Sequence, residues 1–453
     1  MAHRPILIHD ARIVSEGAPR KGYVLIDGEI IADTGSGDAP AGLMADPAVE
    51  KVDAAGRLLL PGVIDEHVHF RDPGLTHKAD MATESRAAVA GGVTSFIDMP
   101  NTRPATVTVE AVAAKRERAA EISVANYGFF IGATDTNLPE LLAADWSLTA
   151  GVKLFLGSST GNMLVERREV IERIFRGVPA LIAVHAEDEA TIRANREAVV
   201  ARYGEDLPIA FHPVIRDHQA CLRATQTAVE LARQTGARLH VLHVSTADEL
   251  QLFEPGPVAG KRITAETCPQ YLLFTDEQYP LLGARIKCNP AIKRPTDRDA
   301  LRYAVANGLI DVIATDHAPH LPEEKEGTAM TAVSGMPMVQ FSLPVMLELS
   351  KEGVLTLEQV VEKMAHNPAL LLGIERRGFI RKGYYADLVM VDDDVEPYPV
   401  TPESVISRCG WSPLEGAPLS VRVDQTWVNG QTAYRHGIVF SSVRGQALRF
   451  NHQ

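Results

Sequence analysis

Apolar positions in this chain recur with two periods, and the alternation between them predicts its fold. Short apolar runs read as buried strands: Leu58–Val68, Val93–Met99, Tyr127–Ile131, Val152–Leu156, Ala180–Val184, Leu239–Val244, Ile263–Ala265 and Ile310–Ala314. Between them lie stretches of helical periodicity, among them Ala79–Ala90, Val109–Glu121, Arg167–Phe175, Gln219–Gln234 and Thr296–Ala306. Strands buried on both faces need a parallel sheet wrapped by helices, so eight strand-then-helix units predict an α/β fold of the (β/α)8 barrel type. The two ends read differently. Pro5 to Val52 gives short strands with an Asp27-Gly28 hairpin turn, and from Ala386 onward strands return, with a turn at Asn429-Gly430. The ends are expected to pair into one small β-sandwich, residues 1–56 and 384–453, around a barrel of residues 57–383.

Composition narrows the class of protein. The 453 residues suit a large barrel with an accessory domain. A formal net charge of −13 argues against nucleic acid or an anionic membrane as the main partner. The four cysteines, Cys221, Cys268, Cys288 and Cys409, form no C-x-x-C pair, which favours free thiols in a reducing compartment. No apolar run approaches the roughly 18–20 residues that span a bilayer. The N-terminal Pro5-Ile6-Leu7-Ile8 is strand-like and lacks a secretory pattern, so a cytoplasmic location is expected.

The chemistry collects at strand ends. In a (β/α)8 barrel the active site lies at the C-terminal rim. The first barrel strand runs into Asp65-Glu66-His67-Val68-His69-Phe70-Arg71-Asp72-Pro73-Gly74. Strict alternation would put Asp65, His67, His69 and Arg71 on one face, with Pro73-Gly74 ending the strand. The fourth strand carries Lys153, the fifth ends at His185, the sixth at His243 and the eighth at Asp316. Each has an ordinary explanation alone: a hydrogen-bonded packing histidine, a helix N-cap, a lysine snorkelling to the rim. Five strand ends out of eight carrying such residues together point to a metal centre. An ammonium group cannot ligate a cation, but a lysine carboxylated by CO2 offers two carbamate oxygens. Four histidines, one carbamate and one aspartate could hold two divalent ions, with zinc suited to this ligand set. Two such ions can share and deprotonate a water. Asp316 could then move its proton, and Arg71 could hold an anion beside the metals.

This combination resembles the amidohydrolase superfamily, and within it the cyclic-amide hydrolases: dihydroorotase, allantoinase, dihydropyrimidinase and hydantoinase. The resemblance covers nearly the whole chain, from Pro61-Gly62-Val63-Ile64-Asp65 through Asn367-Pro368-Ala369 and Leu371-Leu372-Gly373 to Ala386-Asp387-Leu388-Val389. It implies two Zn2+ per subunit bridged by carboxylated Lys153 and a hydroxide, a small-molecule substrate, and a homo-oligomer (dimer or tetramer). Arg71 fits a substrate carboxylate, which a guanidinium can grip bidentately. That implies the dihydroorotase branch, interconverting N-carbamoyl-L-aspartate and L-dihydroorotate in pyrimidine (UMP) biosynthesis. Asn101, in Met99-Pro100-Asn101-Thr102, and His320 resemble further carboxylate contacts. Asn289 resembles a pyrimidine-ring contact, and Ser334 and Gly335 complete the substrate set. Glu266-Thr267-Cys268-Pro269 is more similar to allantoinase or hydantoinase, which remain the alternative. A non-catalytic scaffold homologue would have lost metal ligands, whereas this chain keeps all six. His317 is expected to support the site, and His212 and His218 to be solvated.

Overall fold

The computed structural model describes residues 4–157, 163–165 and 167–452. The chain begins with β1 (Ile6–Ile13), β2 (Arg20–Asp27), β3 (Ile30–Ser36), β4 (Glu50–Asp53) and β5 (Leu58–Pro61). The barrel follows as β6 (Val63–Val68), β7 (Val93–Asp98), β8 (Asn126–Phe129) continued by β9 (Ile131–Gly132), β10 (Val152–Phe155), β11 (Ile182–His185), β12 (Leu239–Val241), β13 (Ile263–Thr267) and β14 (Val312–Ile313). All neighbouring barrel strands pair in parallel, and a bridge from Val68 to His317 joins the first strand to the segment after the last. The predicted (β/α)8 barrel is thus present.

The surrounding helices start where short polar side chains satisfy their free amides. Asp80 caps Met81–Ala90, Thr108 caps Val109–Ile122, Asp188 caps Glu189–Tyr203 and Asp217 caps His218–Thr235, each accepting from a backbone N–H three residues on. No helix among the described residues is long and apolar enough to cross a membrane.

After the barrel come β15 (Leu388–Asp392), the small hairpin pair β16 (Tyr398–Pro399) and β17 (Pro418–Leu419), then β18 (Arg422–Val428), β19 (Gln431–Arg435) and β20 (Ile438–Val439). The two ends of the chain share one nine-stranded sheet, in the order β20-β19-β18-β15-β5-β1-β2-β3, with β4 beside β1. A register shift between Ile8 and Ala11 splits β1: its first half pairs with β4, its last residues with β5. The two wings enclose an apolar cluster that includes Ile26, Ile31, Leu59, Leu388, Met390 and Trp427.

Leu58–Val68, which reads as one strand in the sequence, is two strands in different sheets. The chain crosses between them at Gly62, where an added Cβ would lie 2.1 Å from Thr94 Oγ1 on β7. A continuous apolar run does not reveal which sheet each half joins; that depends on β15, far away in sequence.

Trp427 is 0% exposed at the centre of the terminal-sheet core. Trp427→Ala is expected to cost about 3–5 kcal/mol, read as a lower denaturant midpoint by tryptophan-independent circular dichroism.

Candidate active site

The site is built where β6 ends. His67 Nδ1 lies 3.0 Å from Glu266 Oε1 on β13, and His69 Nδ1 lies 2.6 Å from Asn101 Oδ1 after β7. Both oxygens accept, so each ring carries its proton on Nδ1 and turns the Nε2 lone pair the other way. Those two Nε2 atoms meet the same atom, Asp316 Oδ1, at 3.3 and 3.0 Å. Burial holds His67 well below its usual imidazole pKa. Burial opposes ionisation of Asp316, but His67 and His69 outweigh it and keep the carboxylate pKa below its ordinary value. Two lone pairs and a carboxylate thus face one another in a buried space, an arrangement that a divalent cation relieves.

A second pair of imidazoles continues the array. His185 Nδ1 is 2.8 Å from His243 Nε2, and the His185 and His243 rings lie 4.7 Å apart between centroids. His243 stands 5.5 Å from His67 on the same measure. His185 turns its Nε2 to Glu187 Oε2 at 3.0 Å, and Arg216 holds that carboxylate in turn. Burial and the neighbouring cations and histidines depress the pKa of His243, so its imidazole is neutral.

Lys153, on β10, is 1% exposed. Among the described residues no carboxylate lies within ion-pair distance of its amine, which sits 4.8 Å over the Phe155 ring. Burial pushes its pKa down to about 8. The structure therefore gathers His67, His69, Lys153, His185, His243 and Asp316 on one rim. Ser158, Ser159, Thr160 and Gly161, which follow Lys153 in sequence, lie outside the described residues.

Arg71 reaches the site by another route than strand alternation. β6 stops at Val68, and Arg71 adopts a left-handed backbone with φ 65°. His243 (φ 41°) and Asp316 (φ 48°) share this region, each at a cost of roughly 1–2 kcal/mol. All three lie just past the ends of their strands, where the left-handed backbone redirects the side chain. The Arg71 guanidinium is 2% exposed, donates from Nε to Pro319 O at 3.2 Å and lies 3.0 Å from His320 Nε2. No carboxylate among the described residues lies within ion-pair distance of it; the adjacent Asp72 is paired with Arg118 at 3.6 Å. Burial lowers the Arg71 pKa to about 10.

Beside Arg71 opens a cavity of about 470 Å³, walled by Lys78, Asn101, Arg103, Met163 and His320 among others. Asn289, Ser334 and Gly335 do not line it. Asn289 Oδ1 is buried with no hydrogen-bond partner. Gly335 backs His320, whose Cδ2 would lie 2.9 Å from an added Cβ.

Several supporting groups escape a reading of the sequence. Glu266 lies one residue beyond the predicted strand Ile263–Ala265, so it is not seen as an inward charge. Glu187 follows His185 by two, and that spacing is its only signal. The His317 ring is held between other groups: Nε2 is 2.9 Å from Glu84 Oε2, and Nδ1 accepts the Met338 N–H at 3.0 Å, while its C=O accepts the His69 N–H at 2.8 Å. The expectation that His212 is solvated fails. It is 3% exposed and donates from Nε2 to Cys288 O at 2.9 Å, because the short helical turn His212–Ile215, after the helix Glu189–Tyr203, packs against the segment before Asn289. His218 is also paired, with Asp297 Oδ2 at 2.8 Å.

Residues 58–433 match the Amidohydrolase family, and the chain belongs to that family. It is 36% identical over 417 residues to the dihydroorotase of Halobacterium salinarum, covering 88% of this chain and 95% of that protein. It is 32% identical over 457 residues to the allantoinase of Streptomyces avermitilis, covering 99% of each. The solved L-hydantoinase (dihydropyrimidinase) from Arthrobacter aurescens superimposes with a TM-score of 0.89 at 28% identity, covering 98% of this chain and 99% of that one. The chain is a hydrolase acting on cyclic amides.

Glu266→Gln removes the charge that holds the His67 proton on Nδ1. It is expected to weaken retention of divalent metal by about 10- to 100-fold, measured by competition with a chromogenic chelator. Unchanged affinity would show that Glu266 does not orient His67.

Proposed function

We propose that this enzyme is a dihydroorotase, interconverting N-carbamoyl-L-aspartate and L-dihydroorotate. The observation that carries this reading is Arg71: a buried guanidinium without a carboxylate partner among the described residues, lining a cavity together with Asn101, whose Oδ1 holds His69. A buried unpaired cation is costly unless a ligand supplies the counter-charge. Dihydroorotate brings a carboxylate; allantoin and dihydrouracil do not.

The donor set fits divalent zinc: His67, His69 and Asp316 would hold one ion and His185 and His243 a second, with a carboxylated Lys153 as a further ligand. Bound there, the pair would supply Lewis acidity to the amide carbonyl and to the attacking water. The rest falls to the chain's own groups. In ring opening, Asp316 takes the proton of the attacking water and passes it to the departing ring nitrogen. In ring closure the same carboxyl group protonates the oxygen that leaves as water. Arg71, the Asn101 amide and His320 hold the substrate carboxylate. Asn289, whose Oδ1 is buried with no partner, accepts from a ring N–H, and Ser334 and Gly335 back the ring. In this reading the enzyme is a cytoplasmic homo-oligomer, dimer or tetramer.

The allantoinase relatives and the strand-seven stretch Glu266-Thr267-Cys268-Pro269 favour the alternative, a neutral cyclic amide. A panel of dihydroorotate, allantoin and dihydrouracil on zinc-loaded enzyme separates them: turnover confined to allantoin or dihydrouracil overturns the dihydroorotase reading. A purified protein holding no metal would instead indicate a scaffold.

Arg71→Met is expected to raise KM for dihydroorotate by about 10- to 100-fold, the loss of a charged hydrogen-bonded pair. Asp316→Ala should cut kcat by roughly 10²–10⁴-fold or more; near-normal turnover would discard Asp316 as the proton carrier.

CO2 reacts with a neutral amine, and Lys153 loses its proton near pH 8. Reactivation of metal-stripped enzyme by zinc at fixed dissolved CO2 should therefore accelerate about tenfold per pH unit below 8 and level off above it. A rate independent of pH would remove Lys153 carboxylation from the reading.

A further inference from the structure

The cavity wall beside Arg71 carries a second cation that strand-end chemistry does not account for. Two backbone turns bring it there: Leu75 N–H donates to Arg71 C=O at 3.0 Å, and Lys78 N–H donates to Leu75 C=O at 3.0 Å. The Lys78 side chain is 12% exposed, and its Nζ lies 3.2 Å from His320 Nδ1. On the other side of the same ring, Arg71 Nη2 lies 3.0 Å from His320 Nε2.

This geometry crowds positive charge around one ring. Burial, reinforced by Arg71, holds His320 down to about 3, so its imidazole is neutral and offers one lone pair. Two cationic donors approach its two nitrogens. With its proton on Nδ1 the ring faces Glu324 Oε2 at 3.6 Å and accepts from Arg71 on Nε2, so Lys78 is held by Glu324. The charges do not balance. Arg71 and Lys78 bring two positive charges, and the one carboxylate within ion-pair reach of either, among the described residues, is Glu324, which pairs with Lys78. A negative charge placed in the cavity would offset this excess, to which the exposed Arg103 on the same wall adds.

We propose that Lys78 is the second cation of the anion subsite, shared with Arg71 across His320, and that it sets the enzyme's preference for cyclic amides bearing a carboxylate. Glu324 then acts as a built-in competitor that holds Lys78 until substrate arrives. The proposal rests on the reading of Arg71 as a carboxylate contact.

The rival account makes Lys78 and Glu324 an anchor for the loop that carries His320. The two accounts differ in sign. For a competitor, removing the Glu324 charge frees Lys78, whereas for an anchor, breaking the pair from either side does the same harm.

The test uses full-length, zinc-loaded enzyme with Lys78→Met, Lys78→Arg and Glu324→Gln, assayed on L-dihydroorotate and on dihydrouracil. Lys78→Met should lower the ratio of kcat/KM for dihydroorotate to that for dihydrouracil about tenfold or more, mainly through KM for dihydroorotate. Lys78→Arg should recover most of that ratio, and Glu324→Gln should lower KM for dihydroorotate. Equal losses on both substrates, or a rise in KM for dihydroorotate with Glu324→Gln, would overturn the proposal. If Lys78→Met does not fold, the sign of the Glu324→Gln change decides alone. If wild-type enzyme does not turn over dihydroorotate, the dihydroorotase reading fails by itself. Lys78 is then judged by competitive inhibition of the amide that is hydrolysed: Lys78→Met must raise Ki for dihydroorotate, and an unchanged Ki, or no inhibition at all by dihydroorotate, overturns the anion subsite.

Discussion

The site depends on where two protons sit. Glu266 and Asn101 keep the ring protons of His67 and His69 on Nδ1, so both Nε2 lone pairs turn toward Asp316 Oδ1. If either ring flipped its tautomer, the lone pair would face its own support and the convergence on Asp316 would be lost. The far side of the array repeats the device: Glu187 claims Nε2 of His185, which leaves Nδ1 to face His243. The nitrogens turned toward the rim therefore differ between histidines, and Glu266, Glu187 and the Asn101 amide behind the rings make that choice.

The barrel also carries buried acid below the rim. Asp65 and Glu266, both pushed up to about 7 by burial, and Glu66, also raised by burial, lie beneath the ligands. His240 Nε2 stands 2.8 Å from Glu66 Oε1 in that layer. Asp65 holds the segment leading to Asp316, accepting the Thr315 N–H at 3.1 Å and the Thr315 hydroxyl at 2.6 Å. That ties the first barrel strand to the residue before Asp316, whose left-handed backbone needs an external hold.

The barrel and the six rim residues are legible because two simple rules cover them: apolar runs alternate with helical stretches, and active sites lie at strand ends. What those rules miss has physical causes. Alternation aims Arg71 inward along a continuing strand, yet β6 ends three residues earlier and a left-handed turn brings it in. Glu266 and Glu187 are invisible as supports because nothing local distinguishes a carboxylate that holds an imidazole from one that faces water. Lys78 looks like any solvated lysine until the turn at Leu75 is seen. His212 looks like a loop residue, and its burial comes from packing against a segment far along the chain. Local pattern reports which side chains a strand presents; it does not report which partners the fold brings to them.

The crossing at Gly62 ties the chemistry to the order in which the chain is made. β5 leads through Gly62 into the strand that carries His67, but its neighbour β15 lies beyond the whole barrel. While the chain is being synthesised, β5 has β1 on one side and an open edge on the other until Leu388–Asp392 emerges. His67 and His69 are thus attached to an unfinished sheet for most of the time the barrel takes to appear. Pairings this distant in sequence close slowly. The rim acquires a firm backing only when the last part of the chain has returned to the first.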